Sequence, residues 1–428
     1  MNSSSWQSVP LLSCVDEIID FRGKTPKKIG MEWGNGSIKA LSANNVKQGY
    51  IDFKRECYLA SEELYEAWMT KGDCSKDDIV FTMEAPLGNV ALIPDDSKYI
   101  LSQRVILLKP NKLVDSKYLF HFMSSDSFQN ELNANATGST AKGIKQTRLV
   151  KLKVTLPPLL EQQKIAEILS TVDEKIDLIN QKIAKTEKFK TGLMQKLFSE
   201  GVGVQDSDGN WQPHSEFQDS PFGKIPKCWQ KLSLESIASV ERGKFSARPR
   251  NDPKYFGGET PFVQTGDVVN AHVYIESYSQ TLNELGLTVS KTFPPETVLI
   301  TIAANIGDVA ITKFPLACPD SLVGIQANKD ICNASWLFFF MQTQKSELDS
   351  RATKSAQKNI NLQVLKPLSV FLPPLQEQEF MVEILLTSEQ KLALLKQQKA
   401  ETQQLKQGLM QKLLTGEWRV PLDNPETA

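Results

Sequence analysis

The sequence predicts an α+β fold with internal pseudo-twofold symmetry: two similar mixed α/β domains separated by two long helices that pair as an antiparallel coiled coil. Three observations predict it. Residues 156–198, LPPLLEQQKIAEILSTVDEKIDLINQKIAKTEKFKTGLMQKLF, return at residues 372–414 as LPPLQEQEFMVEILLTSEQKLALLKQQKAETQQLKQGLMQKLL, without a gap, and roughly half the positions are identical. Within the first copy Ile165, Leu169, Val172, Ile176, Ile179 and Ile183 recur at alternating steps of four and three, the seam of a coiled coil. The globular stretches before each copy share landmarks in the same order.

In chain order, residues 1–155 form the first domain. Ile79-Val-Phe-Thr-Met and Asn89-Val-Ala-Leu-Ile flank a Pro-Leu-Gly turn, Arg104-Val-Ile-Leu-Leu comes next, and Tyr118-Leu-Phe-His-Phe-Met reads as a helix. Residues 156–200 are the central repeat helix. Pro-Pro cannot sit inside a helix but can launch one, and the stretch after it is free of proline and rich in strong helix formers. About 40 residues make a rod roughly 60 Å long, too long for a small domain to bury, so it acts as a strut. Residues 201–226, rich in Gly, Pro, Asp and Ser without periodicity, read as a linker. Residues 227–371 restart the plan. Trp229-Gln answers Trp6-Gln, Arg242-Gly-Lys answers Arg22-Gly-Lys, Thr297-Val-Leu-Ile-Thr answers Asp78-Ile-Val-Phe-Thr, and Trp336-Leu-Phe-Phe-Phe-Met answers the first helix. Residues 372–418 are the distal repeat helix, with a looser seam of Met381, Leu385, Ser388, Leu392, Leu395 and Lys399; residues 419–428 are a tail. Two helices with related apolar stripes pack economically on each other; the alternative packs each into its own domain. Gly192 and Gly408, at identical repeat positions, mark a close helix approach, a bend, or a tolerated glycine near a helix end.

Composition excludes several classes. No apolar run approaches the ~18 to 20 residues that span a bilayer, and the start of the chain has no basic region followed by an apolar core, so a cytoplasmic location is expected. The six cysteines are widely spaced without a C-x-x-C pair, as in reduced thiols. His121, His214 and His272 are isolated, and no metal site is expected. No phosphate-binding G-x-x-x-x-G-K-[ST] or dinucleotide-binding G-x-G-x-x-G occurs. There is no Asn-Pro-Pro-Tyr or Asp-Pro-Pro-Tyr box of an amino-methyltransferase. The chain is expected not to be an enzyme by itself.

Basic turns carry the functional signal. Arg22, Lys24, Lys27 and Lys28 surround a Gly and a Pro, and Arg242, Lys244, Arg248 and Arg250 stand at the equivalent place of the second domain. A second loop supplies Lys142, Lys145 and Arg148, and its counterpart Lys354 and Lys358. Such loops suit phosphate contacts, and Asn44, Asn45 and Gln264 nearby suit base edges. One basic loop alone is more often a solvated surface; two loops recurring at matching places in both domains shift the balance toward function, though not to individual residues.

Together, two divergent domains alternating with two similar helices, each opened by Pro-Pro-Leu-x-Glu-Gln and closed by Gly-Leu-Met-Gln-Lys-Leu, resemble the specificity (S) subunit of type I restriction–modification systems over essentially the whole chain. The family's Pro-Glu-Gly-Trp at the start of a domain stands here as Pro-Lys-Cys-Trp before the second domain and is absent before Trp6. The resemblance implies two target-recognition domains, each reading half of a bipartite double-stranded DNA target. It implies helices that set the spacing and dock two methyltransferase (M) subunits, with restriction (R) subunits in the full complex. S-adenosylmethionine would belong to the methyltransferase partner, ATP and Mg to the restriction partner, and no cofactor to this chain. The competing expectation is a two-domain coiled-coil scaffold between proteins, with no DNA role.

Overall fold

The computed structural model describes residues 6–138, 141–220, 223–303, 305–352 and 359–422. The two long helices are Leu159–Glu200 and Leu375–Leu413. The chain divides into two compact units, residues 1–180 with 398–428 and residues 181–397. Each unit therefore owns one end of each helix, and the expectation of a helix packed wholly into its own domain does not hold.

In the first unit an antiparallel sheet runs in the order Val15–Asp20, Val105–Pro110, Ile79–Met83, Leu87–Leu92. Its central strand reads Ile-Val-Phe-Thr-Met and is buried throughout, because both faces are covered. Side chains alternate across a strand: Ile79, Phe81 and Met83 enter one core with Tyr118, Leu119 and Phe122 of the helix Ser116–Ser124. Val80 enters a second core with Leu41, Trp68 and Leu101. The second unit repeats the plan. Val298–Thr301 lies between Leu322–Ala327 and Val309–Thr312, and the helix Ala334–Thr343 buries Trp336 and Phe338–Phe340 against it.

The helices pair within each unit, and the pairing is antiparallel in both. In the first, Ile165, Ala166 and Leu169 share a core with Leu413, Leu414 and Val420, and Lys406 Nζ reaches Asp173 at 2.6 Å. In the second, Leu197 shares a core with Met381, Val382 and Leu385, and Lys190 pairs with Glu389. Of the expected first seam, Ile165, Leu169 and Ile179 are buried, while Val172, Ile176 and Ile183 are partly so. Gly192 and Gly408 do not mark a close approach: a Cβ at either would meet nothing within 4 Å. The linker is more ordered than its composition suggested, since Val204–Gln205 pairs with Trp211–Gln212 and Phe217–Ser220 with Gly223–Pro226.

The motif Pro-Pro-Leu-x-Glu-Gln explains itself at the root of each helix. Strand Gln7–Pro10 pairs with Lys153–Leu156, and Gln230–Ser233 with Ser369–Leu372. Each pairing brings the preceding tryptophan to the start of the following helix. Trp6 Nε1 donates to Glu161 Oε2 at 3.1 Å, and Trp229 Nε1 to Glu377 Oε2 at 2.9 Å. The neighbouring glutamines clamp the domain. Gln162 accepts from the Asp115 amide and donates to the Leu113 and Pro157 carbonyls. Gln378 accepts from Asn333 and donates to Ile331 and Pro373. All four side chains are buried, and their bonds offset the cost of taking polar groups out of water. A glycine in the left-handed region, Gly201 (φ +70) or Gly416 (φ +78), ends the partner helix against the same tryptophan.

Candidate nucleic-acid interface

In the first domain the two basic loops meet. A cavity of about 400 Å³ is lined by Arg22 from the first loop, by Thr137, Lys145 and Gln146 from the second, and by Glu84. Main-chain bonds fix its rim: Ile144 N–H to Met83 O at 3.1 Å, and the mutual pair Thr137 and Gly143 at 2.8 and 2.9 Å. Lys142 and Lys145 are exposed and make no side-chain bond among the described residues. Arg148 donates to the Asn135 carbonyl at 3.3 Å.

The Arg22-to-Lys28 turn divides its cations. Arg22 grips Asp20, whose carboxyl burial would raise but whose hydrogen bonds and charge contact with Arg22, with help from Lys71, hold below its ordinary value. Lys24 is turned inward. Its ammonium donates at 2.9 Å to the carbonyls of Ala67 and Trp68, at the C-terminal end of the helix Glu62–Trp68, where a cation is favoured. Burial, and then the charge of Lys71, lower its pKa. Lys28 donates to the Gly23 carbonyl at 2.6 Å. Lys27 is exposed and without a side-chain partner among the described residues.

Asn44 is exposed, but Asn45 is a correction to the expected base reader. It is 1 % exposed, accepting from Ser42 Oγ at 2.9 Å and donating to the Glu56 carbonyl at 3.2 Å. It holds the turn that carries Asn44. Asp267 does the same in the second domain, accepting from the Gln264 amide at 2.7 Å.

In the second domain Arg242 and Arg250 converge on Asp320, the first through its carbonyl at 2.5 Å and the second through its carboxylate at 2.9 Å. Arg248 curls onto its own loop, donating to the Ala247 carbonyl at 2.7 Å. Lys244 is exposed with a free ammonium among the described residues. Gln264 donates to Gln280 at 3.0 Å. Lys354 and Lys358 lie outside the described residues. Asp20, Asp320 and Glu84 were missed from sequence, because an acid in a basic loop reads as dilution of charge until its partner is seen. Among the described residues no cluster of three metal-ligating side chains occurs, and no helix is long and apolar enough to cross a membrane.

A duplicated protein with two cation-bearing domains and two paired arms is thus defined. A family model described as the type I restriction modification DNA specificity domain matches residues 12–188 and again 226–404. The chain belongs to that family. It is 30% identical, over 88% of its length and 86% of the relative's, to the putative type I restriction enzyme MjaX specificity subunit of Methanocaldococcus jannaschii. It is 23% identical to the type I restriction enzyme EcoKI specificity subunit of Escherichia coli, over 80% of this chain and 73% of the relative. Among solved structures, the type I restriction–modification S subunit from M. genitalium shares the fold at 15% identity, with a TM-score of 0.59 over 96% of this chain and 97% of that one.

Proposed function

We propose that this chain is the sequence-specific DNA-recognition subunit of a type I restriction–modification complex, each globular domain reading one half of a bipartite target. The observation that carries this reading is the duplicated cation cluster, set at matching places on two domains that are each bolted to the paired arms. The arms set the distance between half-sites and dock methyltransferase subunits. Those partners supply S-adenosylmethionine and the methyl transfer, and restriction subunits supply ATP- and Mg-dependent cleavage in the bacterial or archaeal cytoplasm. This chain's own residues bind and orient DNA; they carry no chemistry.

Lys27, Lys142 and Lys145 are the phosphate contacts of the first domain, because their ammonium groups are unspent among the described residues. Replacing all three by Ala in the assembled methyltransferase lowers DNA affinity on every sequence. It flattens the salt dependence by roughly 0.9 for each phosphate no longer neutralised. An unchanged affinity and slope would return these lysines to ordinary surface and weaken the reading. Lengthening both arms by four residues, after Lys185 and after its repeat counterpart Glu401, adds roughly 6 Å of helix to each. At ~3.4 Å per base pair the preferred spacer grows by one or two base pairs, with both half-sites unchanged. Methylation mapping reads the result, and an unchanged spacer removes the arms from that role.

A further inference from the structure

On the reading of this chain as a DNA-recognition subunit, we propose that Arg22 and Arg242 are base-reading side chains, each taking the O6/N7 edge of a guanine in the major groove, one in each half-site. The grip on each guanidinium carries the inference. Arg22 Nε donates to both Asp20 oxygens, at 3.0 Å each, and Nη2 donates to Oδ2 at 2.7 Å. The Arg22 amide closes on the same carboxylate at 2.8 Å. This side-on hold fixes the fork and leaves Nη1, with the outer proton of Nη2, unpartnered among the described residues. In the second domain Arg242 is again held through Nε, here by the Asp320 carbonyl at 2.5 Å. Neither of its Nη atoms has a partner among the described residues. Asp320 is itself tethered by Arg250. The two arginines close the same strand of each domain two residues out of register: Asp20 and Arg242 pair with the equivalent residues Ile106 and Val323, and Arg22 lies two residues beyond Asp20.

The neighbouring cations are not held this way. Lys24 and Lys28 are bonded to carbonyls, while Lys27, Lys142 and Lys244 are exposed with no side-chain partner among the described residues. A phosphate contact is satisfied by a mobile point charge, whereas a base edge demands donors at a set angle on a rigid mount. The free end of the fork presents two parallel N–H donors, the complement of the two acceptors of guanine. In the first domain Glu84 borders the same cavity, half-exposed, with Arg104 Nε at 3.5 Å. It offers an acceptor to the N4 amine of the paired cytosine, so that Arg22 and Glu84 cover both members of one G·C pair. In the second domain Ala303 takes the place of Glu84, each residue bridging to the loop that comes after the domain's helices. The guanine contact stands alone there.

The test uses the full chain assembled with its methyltransferase partner. The duplex carries the sequence that the wild-type assembly methylates, with 7-deazaguanine substituted for each guanine in turn to delete the N7 acceptor. One guanine in each half-site should prove sensitive, costing about 5- to 150-fold in affinity. Arg22→Ala loses a similar factor on natural DNA and is then indifferent to 7-deazaguanine in the first half-site. Its affinity for unrelated DNA and its salt slope stay put. Arg242→Ala does the same for the second half-site only. Asp20→Asn keeps the arginine but loosens its mount, giving a smaller loss confined to the same base pair. A half-site without a G·C pair overturns the proposal, and so do multiplicative losses from Arg22→Ala and 7-deazaguanine. So does a uniform loss on all sequences with the slope lowered by about 0.9, the mark of a phosphate contact. A wild-type assembly with no sequence preference would instead overturn the recognition reading on which this rests.

Discussion

The two helix roots share a motif and are sealed differently. Glu161 accepts from Trp6 and, at 2.6 and 2.8 Å, from Arg419, a long cation whose side chain remains 53% exposed. Glu377 accepts from Trp229, from the Val202 and Gly203 amides at 2.9 and 3.3 Å, and meets His214 Nε2 at 2.9 Å, all within a buried joint. One root is closed by a flexible side chain with access to water, the other by two main-chain amides and a buried imidazole. A partner that can turn to water loses little when its acceptor is removed; a buried amide cannot turn away. The same sequence signature therefore marks a tolerant joint in the first unit and an unforgiving one in the second.

The largest effect should come from emptying the joints. Glu377→Ala strands three or more buried donors and should cost about 3 to 5 kcal/mol in unfolding of the second unit. Glu161→Ala should cost about 1 to 2 kcal/mol in the first, since Arg419 finds solvent. Hydrogen exchange along residues 375–397 and 159–180 separates the two; equal losses would break the comparison. Next come the glycines. A Cβ at Gly201 would stand 2.2 Å from Glu377 Oε1 and 2.9 Å from Trp229, whereas at Gly416 the nearest atom is 3.3 Å away. Both need φ above zero, so Gly416→Ala should cost about 1 kcal/mol and Gly201→Ala about 2 to 4. Thermal unfolding of the full chain measures both.

A third contrast is between His121 and Phe339, at the same place in the two domain helices. Burial, with the charges of Lys406 and Lys117, lowers the His121 pKa to about 3. The unfolded chain takes up this proton near pH 6.5 and the folded chain only near pH 3. Stability of the first unit should therefore fall as pH drops through that window, by about 2 kcal/mol at pH 5. His121→Phe should remove that slope. A slope that survives the change assigns it to the carboxylates instead. The smallest effect concerns the ion pairs between arms. Lys190 and Glu389 are more enclosed than Lys406 and Asp173. Lys190→Met should cost about 1 kcal/mol or more, and Lys406→Met less. The reverse order by chemical denaturation would show that enclosure does not rank them.

The arms stood out in sequence because a gapless repeat with a heptad seam is a long-range signal carried by many residues. Their ends, 159–200 and 375–413, fall within a few positions of the expected bounds. The linker hairpins did not stand out, because two-residue strands such as Val204–Gln205 are too short to show alternation. The interface was half visible. Composition revealed Arg22 and Lys24 alike as loop cations, but not that one is fixed by Asp20 and the other spent on the carbonyls of Ala67 and Trp68. Trp6 and Glu161 were each landmarks of the repeat. Their bond joins residues far apart in the chain, and no local pattern encodes it.

That bond has a consequence for the order in which the chain is strung. In the second unit the tryptophan and the helix-ending glycine, Trp229 and Gly201, are connected by the linker. In the first, Trp6 and Gly416 come from opposite ends of the sequence, yet Gly416 stands against the indole in the same way. In each unit a tryptophan stands against a helix-ending glycine, and only in the second are the two near in the chain. A gene rearranged to open in the linker instead, with residues 420 and 6 bridged by a short polar spacer and new ends between Gln205 and Trp211, would encode the same two units read from a different starting point.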